Sequence, residues 1–298
     1  MLSKGGPLRP FLAMSAGILL LGSAIYVAAS PGRIDIIDGQ YRFEVAHNLV
    51  DDGSVQIRDT FLGDAVPGLI GAYSTYGISG SLVPIPLILV ARIAHDSLDR
   101  EQFFFSFTSS VFGAATLALL FAFFIELGVT WRAALAWTAV AGLATLMFPA
   151  SATVFDQMQQ GFFLLAACFL AWLGGRRDSM RLTVAGGAAL AILVNFQESY
   201  AVMFPGIGVA ALAPGWSTPA ERRRAFERAA VFLFVGSMGL LFWVGYNQFR
   251  YGAYLYSGKG HNHPFPFGNP LVGLSSLLAS PGKSIFLYSP PKIGRAHV

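Results

Sequence analysis

Charged residues are scarce in this sequence, and their scarcity limits what the protein can be. They make up 12% of the 298 residues, whereas hydrophobic residues make up 54%. A soluble domain carries roughly 25% charged residues, so an ordinary soluble globular domain is excluded. The composition instead predicts helices that pack together within a lipid bilayer. The few basic residues lie in short loops between apolar runs, so no nucleic-acid partner is expected.

Cysteine and the common catalytic motifs are also missing. Cys168 is the only cysteine, which excludes an intrachain disulfide and leaves the redox compartment open. Zinc motifs, glycine-rich phosphate loops and Ser/His/Asp signatures are absent. His261 and His263 are two residues apart, a spacing that suits a metal site only in an extended segment. A polar turn without a metal is the interpretation we favour for them.

Apolar runs are what the sequence has in abundance, and they predict an all-α, polytopic membrane helical bundle of roughly seven spans. The first run follows Lys4 and Arg9 and is long enough to span, so we expect an uncleaved helix rather than a cleaved signal. The predicted runs cover residues 11–29, 82–94, 103–127, 133–148, 162–173, 182–194, 201–212 and 229–246.

These runs predict a single membrane domain over residues 1–298. Residues 1–30 form the first helix, 31–81 a large outer loop with a juxtamembrane helix, and 82–246 the helical bundle. Residues 247–292 are expected to form a second outer loop and the start of another helix. The last six residues, IGRAHV, do not resemble the start of a helix. We expect residues 293–298 to be a sequence artefact that ends a truncated reading frame.

Arginine clusters predict the orientation of the bundle. Residues 176–181 and 222–228 are the two strongly basic loops, so both are expected on the cytoplasmic side. This orientation places residues 31–81, 149–160 and the segment after 246 on the outer side, with the N-terminus inside. An even number of crossings must then join the first two outer segments. The run at 82–94 is short and contains Pro84 and Pro86, so we predict that it does not cross.

Ionisable residues are nearly absent from the apolar runs, which argues against an ion-coupled transporter with acids at mid-membrane. The acids instead gather on the predicted outer side, most densely in residues 35–59. Within that stretch, Phe43, Ala46 and Val50 share one helical face, and Asp38 and Arg42 lie four residues apart on another. The pattern predicts a short helix on the membrane surface, ended by the Asp-Asp-Gly of residues 51–53. The outer acids are Asp35, Asp38, Glu44, Asp51, Asp52, Asp59, Asp64, Asp156 and Glu198.

The order of four short motifs resembles that of the C-type integral-membrane glycosyltransferases. It is most similar to the branch of dolichyl-phosphate-mannose mannosyltransferases and bacterial lipid A aminoarabinose transferases. The resemblance covers nearly the whole chain, and it rests on the order of degenerate motifs rather than on any one of them. The motifs are DGQYRF at 38–43, YSTYGIS at 73–79 with the following prolines, NQFRYG at 247–252, and SPGK at 280–283 with YSP at 288–290.

This resemblance implies transfer of a sugar from a polyprenyl-phosphate donor to an acceptor at the outer face of a bacterial inner (plasma) membrane. The expected partners are the lipid-linked donor and membrane lipids. In the family, an acid in the first loop acts as general base or orients the acceptor, and Asp38 matches it. Gly39 stands where the family usually has a second acid. Asp156 matches an acid that the family places at the outer end of a later helix.

Other residues are expected to bind the substrate. Arg42, Lys259 and Lys283 are the outer cations available to stabilise the departing lipid phosphate. Tyr76 and Arg250 lie in the matching motifs and complete the predicted binding set. The sequence identifies no cofactor, and a divalent metal ion is left as an alternative to the cations.

Structural interpretations stand beside these roles. Asp38 could cap its helix, although we favour catalysis. For Asp156 the two interpretations are equally supported. For Lys283, Arg250 and His261 we favour anchoring at the membrane interface.

Two other functions remain open from the sequence. A transporter or flippase for lipid-linked sugars would line a central cavity with charges, whereas the acids here gather at one rim. A non-catalytic membrane subunit is compatible with glycine at position 39.

Overall fold

The structure is a computed structural model that describes residues 8–58, 65–94, 97–212 and 218–258, together with residues 271, 272, 275 and 278. Most of the described chain is helical, which confirms the predicted all-α membrane fold. The helices are α1 (Leu8–Ala29), α2 (Ile37–Asp52), α3 (Ser79–Leu82), α4 (Ile85–Ala94), α5 (Leu98–Ser106), α6 (Thr108–Glu126), α7 (Trp131–Leu143), α8 (Met147–Ser151), α9 (Gln157–Arg176), α10 (Met180–Val194), a 3₁₀ helix (Glu198–Met203), α11 (Phe204–Leu212) and α12 (Pro219–Tyr251).

Four helical stretches of the described chain are long and apolar enough to cross a membrane. They are Phe11–Ala29, Leu98–Glu126, Gln157–Arg176 and Pro219–Tyr251. The helix α10 is apolar but shorter, and α7 and α11 have 13 and 9 residues. The bundle core uses small residues such as Ala167, Ala171 and Ala189. This composition lets helices approach closely, as in other membrane bundles.

One end of the bundle gathers the basic loops. Arg177 at the end of α9 is paired with Glu126 at the end of α6. In the turn before α10, Asp178 binds Arg224 at 2.8 Å and Arg228 at 2.5 Å, both in the first turns of α12. The two arginine clusters therefore lie together, as their predicted common side requires. We call this the arginine-rich end.

The opposite end gathers the segments that the sequence places outside. The Ser79 N–H donates to the Asn195 carbonyl at 3.0 Å, which joins α3 to the end of α10. The Leu69 N–H donates to the Arg250 carbonyl at 2.9 Å, which joins the first loop to the end of α12. The Ser110 hydroxyl donates to the Ser151 carbonyl at 2.8 Å, near the start of α6. We call this the loop end.

The helix α4 lies entirely at the loop end. Ile88 in its middle is fully buried against Phe43 and Ala46 of α2. Arg92, in its last turn, is 2.6 Å from Asp51 at the end of α2. Because residues along the length of α4 contact α2, α4 does not run to the arginine-rich end. The same placement was predicted for residues 82–94 from the even number of crossings between the two outer segments.

The first loop also contains a small sheet that the sequence analysis missed. Its strands are β1 (Gln56–Ile57), β2 (Val66–Pro67) and β3 (Ala72–Tyr73), in the antiparallel order β1-β3-β2. Two-residue strands are too short to produce a detectable alternation of polar and apolar residues. The Asn48 side chain donates to the Gln56 carbonyl at 2.9 Å and ties the sheet to α2.

Two predicted boundaries were wrong. The loop expected from residue 247 begins later, because α12 continues to Tyr251 and ends at Gly252, whose φ of 69° is left-handed. The run at 201–212 is also not one regular helix, since its first residues form the 3₁₀ helix. At the other end of α12, Thr218 and Glu221 form a reciprocal capping box with Pro219 between them, a strong start signal.

Candidate functional site

The helix α2 presents two of the predicted site residues, and it forms where the sequence analysis expected it. Gly53 ends it in the left-handed region, with φ of 72°, and its N–H bonds to the last turn. Phe43 and Ala46, two of the three residues on its predicted apolar face, are buried against α4 and α5, while Asp38 and Arg42 lie one turn apart. Asp38 stands in the first turn, where the helix dipole favours a carboxylate.

Asp38 is held by a residue that lies far along the chain. The Tyr76 hydroxyl donates to Asp38 Oδ1 at 2.5 Å. Burial raises the pKa of Tyr76, and the hydrogen bond and charge of Asp38 raise it further. Tyr76 therefore keeps its proton and acts as a donor to the carboxylate. The helix-capping interpretation of Asp38 is wrong, because Ile36 is the N-cap residue and α2 has no side-chain cap there.

Asp156 lies in the same site, bound to α2 by Arg42. Arg42 Nη1 is 2.6 Å from Asp156 Oδ2, and the two side chains are 3% and 13% exposed. Asp156 is the N-cap residue of α9 but makes no side-chain cap bond. The guanidinium of Arg42 also lies 5.4 Å from the centre of the Tyr76 ring. Asp38, Arg42, Tyr76 and Asp156 form one group, which we call the aspartate site.

Gly80 makes room for the arginine to reach Asp156. A Cβ at this position would lie 2.7 Å from Arg42 Cδ and 3.5 Å from Asp156 Oδ2. Any larger residue would therefore push the Arg42 side chain aside. The sequence analysis did not single out Gly80, because a glycine next to a degenerate motif carries no sign of which distant side chain passes over it.

Gly39 faces away from the aspartate site. A Cβ there would lie 2.8 Å from Ile34 Cγ2 and 3.2 Å from Val154 Cγ1. A glutamate at this position would meet an apolar wall and would have to be desolvated. The surroundings of residue 39 therefore leave no room for a second acid beside Asp38.

Arg250 is not where an interface anchor would be, so that interpretation is wrong. It is 1% exposed. Its Nη1 donates to the Ser74 carbonyl at 2.5 Å, and its Nη2 donates to Asn247 Oδ1 at 2.7 Å. The side chain is enclosed by protein and offers no surface to a lipid or substrate.

Two further polar residues adjoin the site and were missed. The Tyr200 hydroxyl donates to Gln160 Oε1 at 2.9 Å. Gln160 is one turn after Asp156 on α9 and is buried. Burial raises the pKa of Tyr200, and the charge of Asp156 adds to the effect. The glutamines in the first turn of an otherwise apolar helix, at 157, 159 and 160, were the available signal for this extension of the site.

A second charged cluster joins α2 to α4 and α5. Arg92 Nε is 2.8 Å from Glu101 Oε1, and His47 Nδ1 is 2.7 Å from Glu101 Oε2. Asp51 completes the cluster, with Oδ1 2.6 Å from Arg92 Nη2 and Oδ2 3.1 Å from His47 Nε2. Glu101 is 1% exposed. This cluster holds the α4–α5 hairpin against the helix that carries Asp38.

Several predicted residues lie outside the described parts of the chain. They are Lys259, Lys283, His261, His263, Asp59 and Asp64. Over the described residues, no three His, Cys, Asp or Glu side chains gather in a way that could hold a metal ion. Asp156 is already bound to a guanidinium, which does not suit a metal ligand. The aspartate site therefore does not fit the divalent ion that the sequence left as an alternative.

An open groove of about 510 Å³ lies at the loop end beside the end of α12. Tyr73 and Ile78, which flank the segment carrying Tyr76, form part of its wall. Phe242 and Phe249, on the outer turns of α12, are each about half exposed at its edge. The groove therefore has a mainly apolar lining and lies beside exposed aromatic side chains of α12.

Comparisons of the chain with protein-family models, with curated proteins and with solved structures gave no match.

Proposed function

We propose that this protein is a C-type glycosyltransferase that moves a sugar from a polyprenyl-phosphate donor to an acceptor at the outer face of a bacterial inner membrane. The observation that carries the proposal is the aspartate site. Two acids that are far apart in the sequence belong to it: Asp156 pairs with the buried Arg42, and Asp38 is bound by Tyr76, whose ring lies beside the Arg42 guanidinium. The site lies at the end of the bundle opposite the arginine clusters. By the positive-inside rule, the loop end then faces outward and the N-terminus lies in the cytoplasm.

Asp38 is the proposed general base. An acceptor hydroxyl is a poor nucleophile until a carboxylate within hydrogen-bond reach accepts its proton. As the acceptor oxygen bonds to the anomeric carbon, the bond from that carbon to the lipid phosphate oxygen breaks. The acceptor proton moves to Asp38, and the lipid phosphate leaves with the bonding electrons. Tyr76 holds the carboxylate in place through its hydrogen bond to Oδ1.

Arg42 is the proposed partner of the leaving phosphate. Its Nη1 is engaged by Asp156, whereas its Nη2 is buried with no hydrogen-bond partner in the structure described. A buried donor without a partner is costly, and a phosphate oxygen would satisfy it with a charge-assisted bond. Asp156 then orients the guanidinium and partly compensates its positive charge. A preformed donor of this kind would stabilise the negative charge that develops on the departing phosphate.

The groove at the loop end supports a lipid substrate. Its aromatic and aliphatic lining suits a hydrocarbon chain, and it lies beside the segment that carries Tyr76. A polyprenyl chain in this groove would lie against Tyr73 and Ile78, on either side of the segment that carries Tyr76.

A non-catalytic subunit is the second candidate. It is favoured by the near-complete burial of the Arg42–Asp156 ion pair. A structural pair of this kind would serve only to dock α9 onto α2. The two candidates differ in what Asp38 does, since a docking role for Arg42 and Asp156 does not require it.

Transfer assays with a matched pair of variants separate the candidates. The full-length chain in proteoliposomes is offered a panel of labelled polyprenyl-phosphate sugars together with membrane lipid extracts as acceptors. Asp38→Asn keeps the shape of the side chain but removes its basicity, so we expect transfer to fall at least about 100-fold. Asp35→Asn, at an exposed position three residues earlier, is the control and should retain activity. Full activity in Asp38→Asn would end the catalytic proposal.

A further inference from the structure

Tyr76 lies in a stretch without regular secondary structure, between β3 and α3. Its hydroxyl must nevertheless hold a carboxylate 38 residues earlier in the chain. An irregular stretch has no helix or sheet ladder to fix its backbone, so other contacts must offset the entropy of ordering it. The position of Tyr76 therefore depends on the residues that bind the carbonyl groups around it.

Arg250 provides most of these contacts. Its Nη1 donates to the Ser74 carbonyl at 2.5 Å, and the Tyr76 carbonyl is 3.5 Å from the same nitrogen. Its Nη2 is bound to Asn247 one turn earlier on α12, which sets the plane of the guanidinium. The neighbouring Tyr251 hydroxyl donates to the Ser74 carbonyl at 3.1 Å. Two consecutive residues of α12 thus bind one carbonyl of the Tyr76 segment.

The backbone of Arg250 holds the same loop from another side. Its carbonyl accepts from the Leu69 N–H at 2.9 Å. The approach is close enough that a Cβ at Gly68 would lie 2.3 Å from this carbonyl oxygen. The end of α12 therefore binds the first loop on both sides of β3, at Leu69 and at Ser74.

The burial of this arginine shows that the arrangement is specific. The guanidinium lies 4.1 Å from the centre of the Tyr246 ring and 4.7 Å from that of Tyr251. Within the described ranges no carboxylate lies at ion-pair distance from it. Burying a charge without an opposite charge is expensive unless carbonyl groups and aromatic faces compensate. A lysine could not replace it, because one ammonium cannot present a planar fork to two separate acceptors.

We propose that Arg250 is a positioning residue that fixes Tyr76 and, through Tyr76, the Asp38 carboxylate. Its contribution to catalysis rests on the proposed transferase function, whereas its control of Tyr76 does not. Arg250 is enclosed by protein and acts only through the segment it binds.

The test places 3-fluorotyrosine at position 76 of the full chain in nanodiscs and follows its ionisation by fluorine NMR. The same label at Tyr254, which is 61% exposed, gives the reference. Without other substitutions, the label at 76 should ionise at higher pH than the label at 254. In Arg250→Gln this difference should disappear, because the phenol leaves Asp38 and meets water. Arg250→Lys should behave like Arg250→Gln.

Arg228→Gln is the matched control, because it removes another buried arginine at the opposite end of the same helix. The difference between positions 76 and 254 should survive in it. A difference that persists in Arg250→Gln would overturn the proposal. If Arg250→Gln does not fold, Tyr251→Phe removes only one bond to Ser74 and should lower the ionisation pH of the label at 76 by a smaller amount. An unchanged ionisation pH there would also overturn the proposal.

Transfer activity separates this proposal from the proposed function. Arg250→Gln should reduce transfer in the parent chain and have little further effect in a Tyr76→Phe background, because both changes release the same carboxylate. If the label at 76 responds as expected but no variant transfers sugar, the positioning role stands and the transferase proposal fails. If transfer is present but the two substitutions act additively, the positioning proposal fails.

Discussion

The charged guanidinium of Arg42 is almost completely buried, so its neighbours must compensate for the lost contact with water. A guanidinium that is 3% exposed requires an opposite charge or several acceptors. Asp156 supplies the charge, and Tyr76 supplies an aromatic face at 5.4 Å. At the scale of single residues, the aspartate site is thus a buried ion pair in which one guanidinium nitrogen, Arg42 Nη2, has no hydrogen-bond partner among the described residues.

Removing the acid from this pair should destabilise the protein. Asp156→Asn leaves the Arg42 charge buried without its partner, so we expect the free energy of unfolding to fall by about 3 kcal/mol. Thermal unfolding in nanodiscs measures the change. The double variant with Arg42→Met should recover much of the loss, since an apolar pair of similar size needs no compensation. A double variant that is no more stable than Asp156→Asn would contradict this account of the pair.

A substitution at Gly80 tests whether the Arg42 side chain must pass over this glycine to reach Asp156. Gly80→Ala places a methyl group 2.7 Å from Arg42 Cδ, so the guanidinium should move away from Asp156. We expect a loss of about 1–3 kcal/mol in stability from the steric conflict, together with reduced transfer activity. Gly161→Ala is the control, because a Cβ there meets nothing within 4 Å. The prediction fails if the two alanine variants unfold at the same temperature.

At the scale of elements, α2 owes its position to the hairpin of α4 and α5 as much as to its own sequence. Apolar contacts through Phe43 and Ile88 bury one side of it. The cluster of His47, Asp51, Arg92 and Glu101 then fixes its second half. Because α2 carries Asp38 and Arg42, this cluster sets the alignment of the site without touching it.

Breaking the cluster at its buried acid should loosen the hairpin. Glu101→Gln removes the charge that both Arg92 and His47 contact. Because these two side chains are partly exposed and keep Asp51 as a partner, we expect a cost of about 1–3 kcal/mol. Hydrogen exchange of the α4–α5 hairpin should increase more than that of α9 and α10. Asp99→Asn, at an exposed position two residues earlier, serves as the control and should change neither quantity by much. Equal exchange in the two variants would show that the cluster does not hold the hairpin.

The same scale shows what could be predicted from the sequence. The helical spacing of residues 38–50 and the Gly at 53 predicted α2 closely, because both signals are local. The four-residue spacing of Asp38 and Arg42 suggested that their side chains contact each other, yet each binds a residue that is distant in the sequence. Their partners, Tyr76 and Asp156, are chosen by tertiary packing, which leaves no periodic mark on the sequence.

At the scale of the whole molecule, charge divides the bundle into two ends. The arginine-rich end is held by pairs such as Arg228 with Asp178, and the loop end carries the aspartate site. The helix α12 joins them, because its 33 residues extend about 50 Å, well beyond a hydrocarbon core of about 30 Å. The arginine clusters and the parity of the apolar runs were sufficient to predict this division. The burial of Arg250 was not predictable, because its motif lies at the end of an apolar run.

The account depends most on Asp38 and Asp156 sharing the outer face of the membrane, and cysteine labelling in intact cells tests this directly. The background is Cys168→Ala, and each variant carries one new cysteine at an exposed position. Asp35 is three residues before Asp38, and Gln157 follows Asp156 directly. Arg223 lies at the arginine-rich end. A membrane-impermeant maleimide should label the cysteines at 35 and 157 from outside, and the one at 223 only after permeabilisation. Labelling of positions 35 and 157 from opposite sides of the membrane would contradict the account.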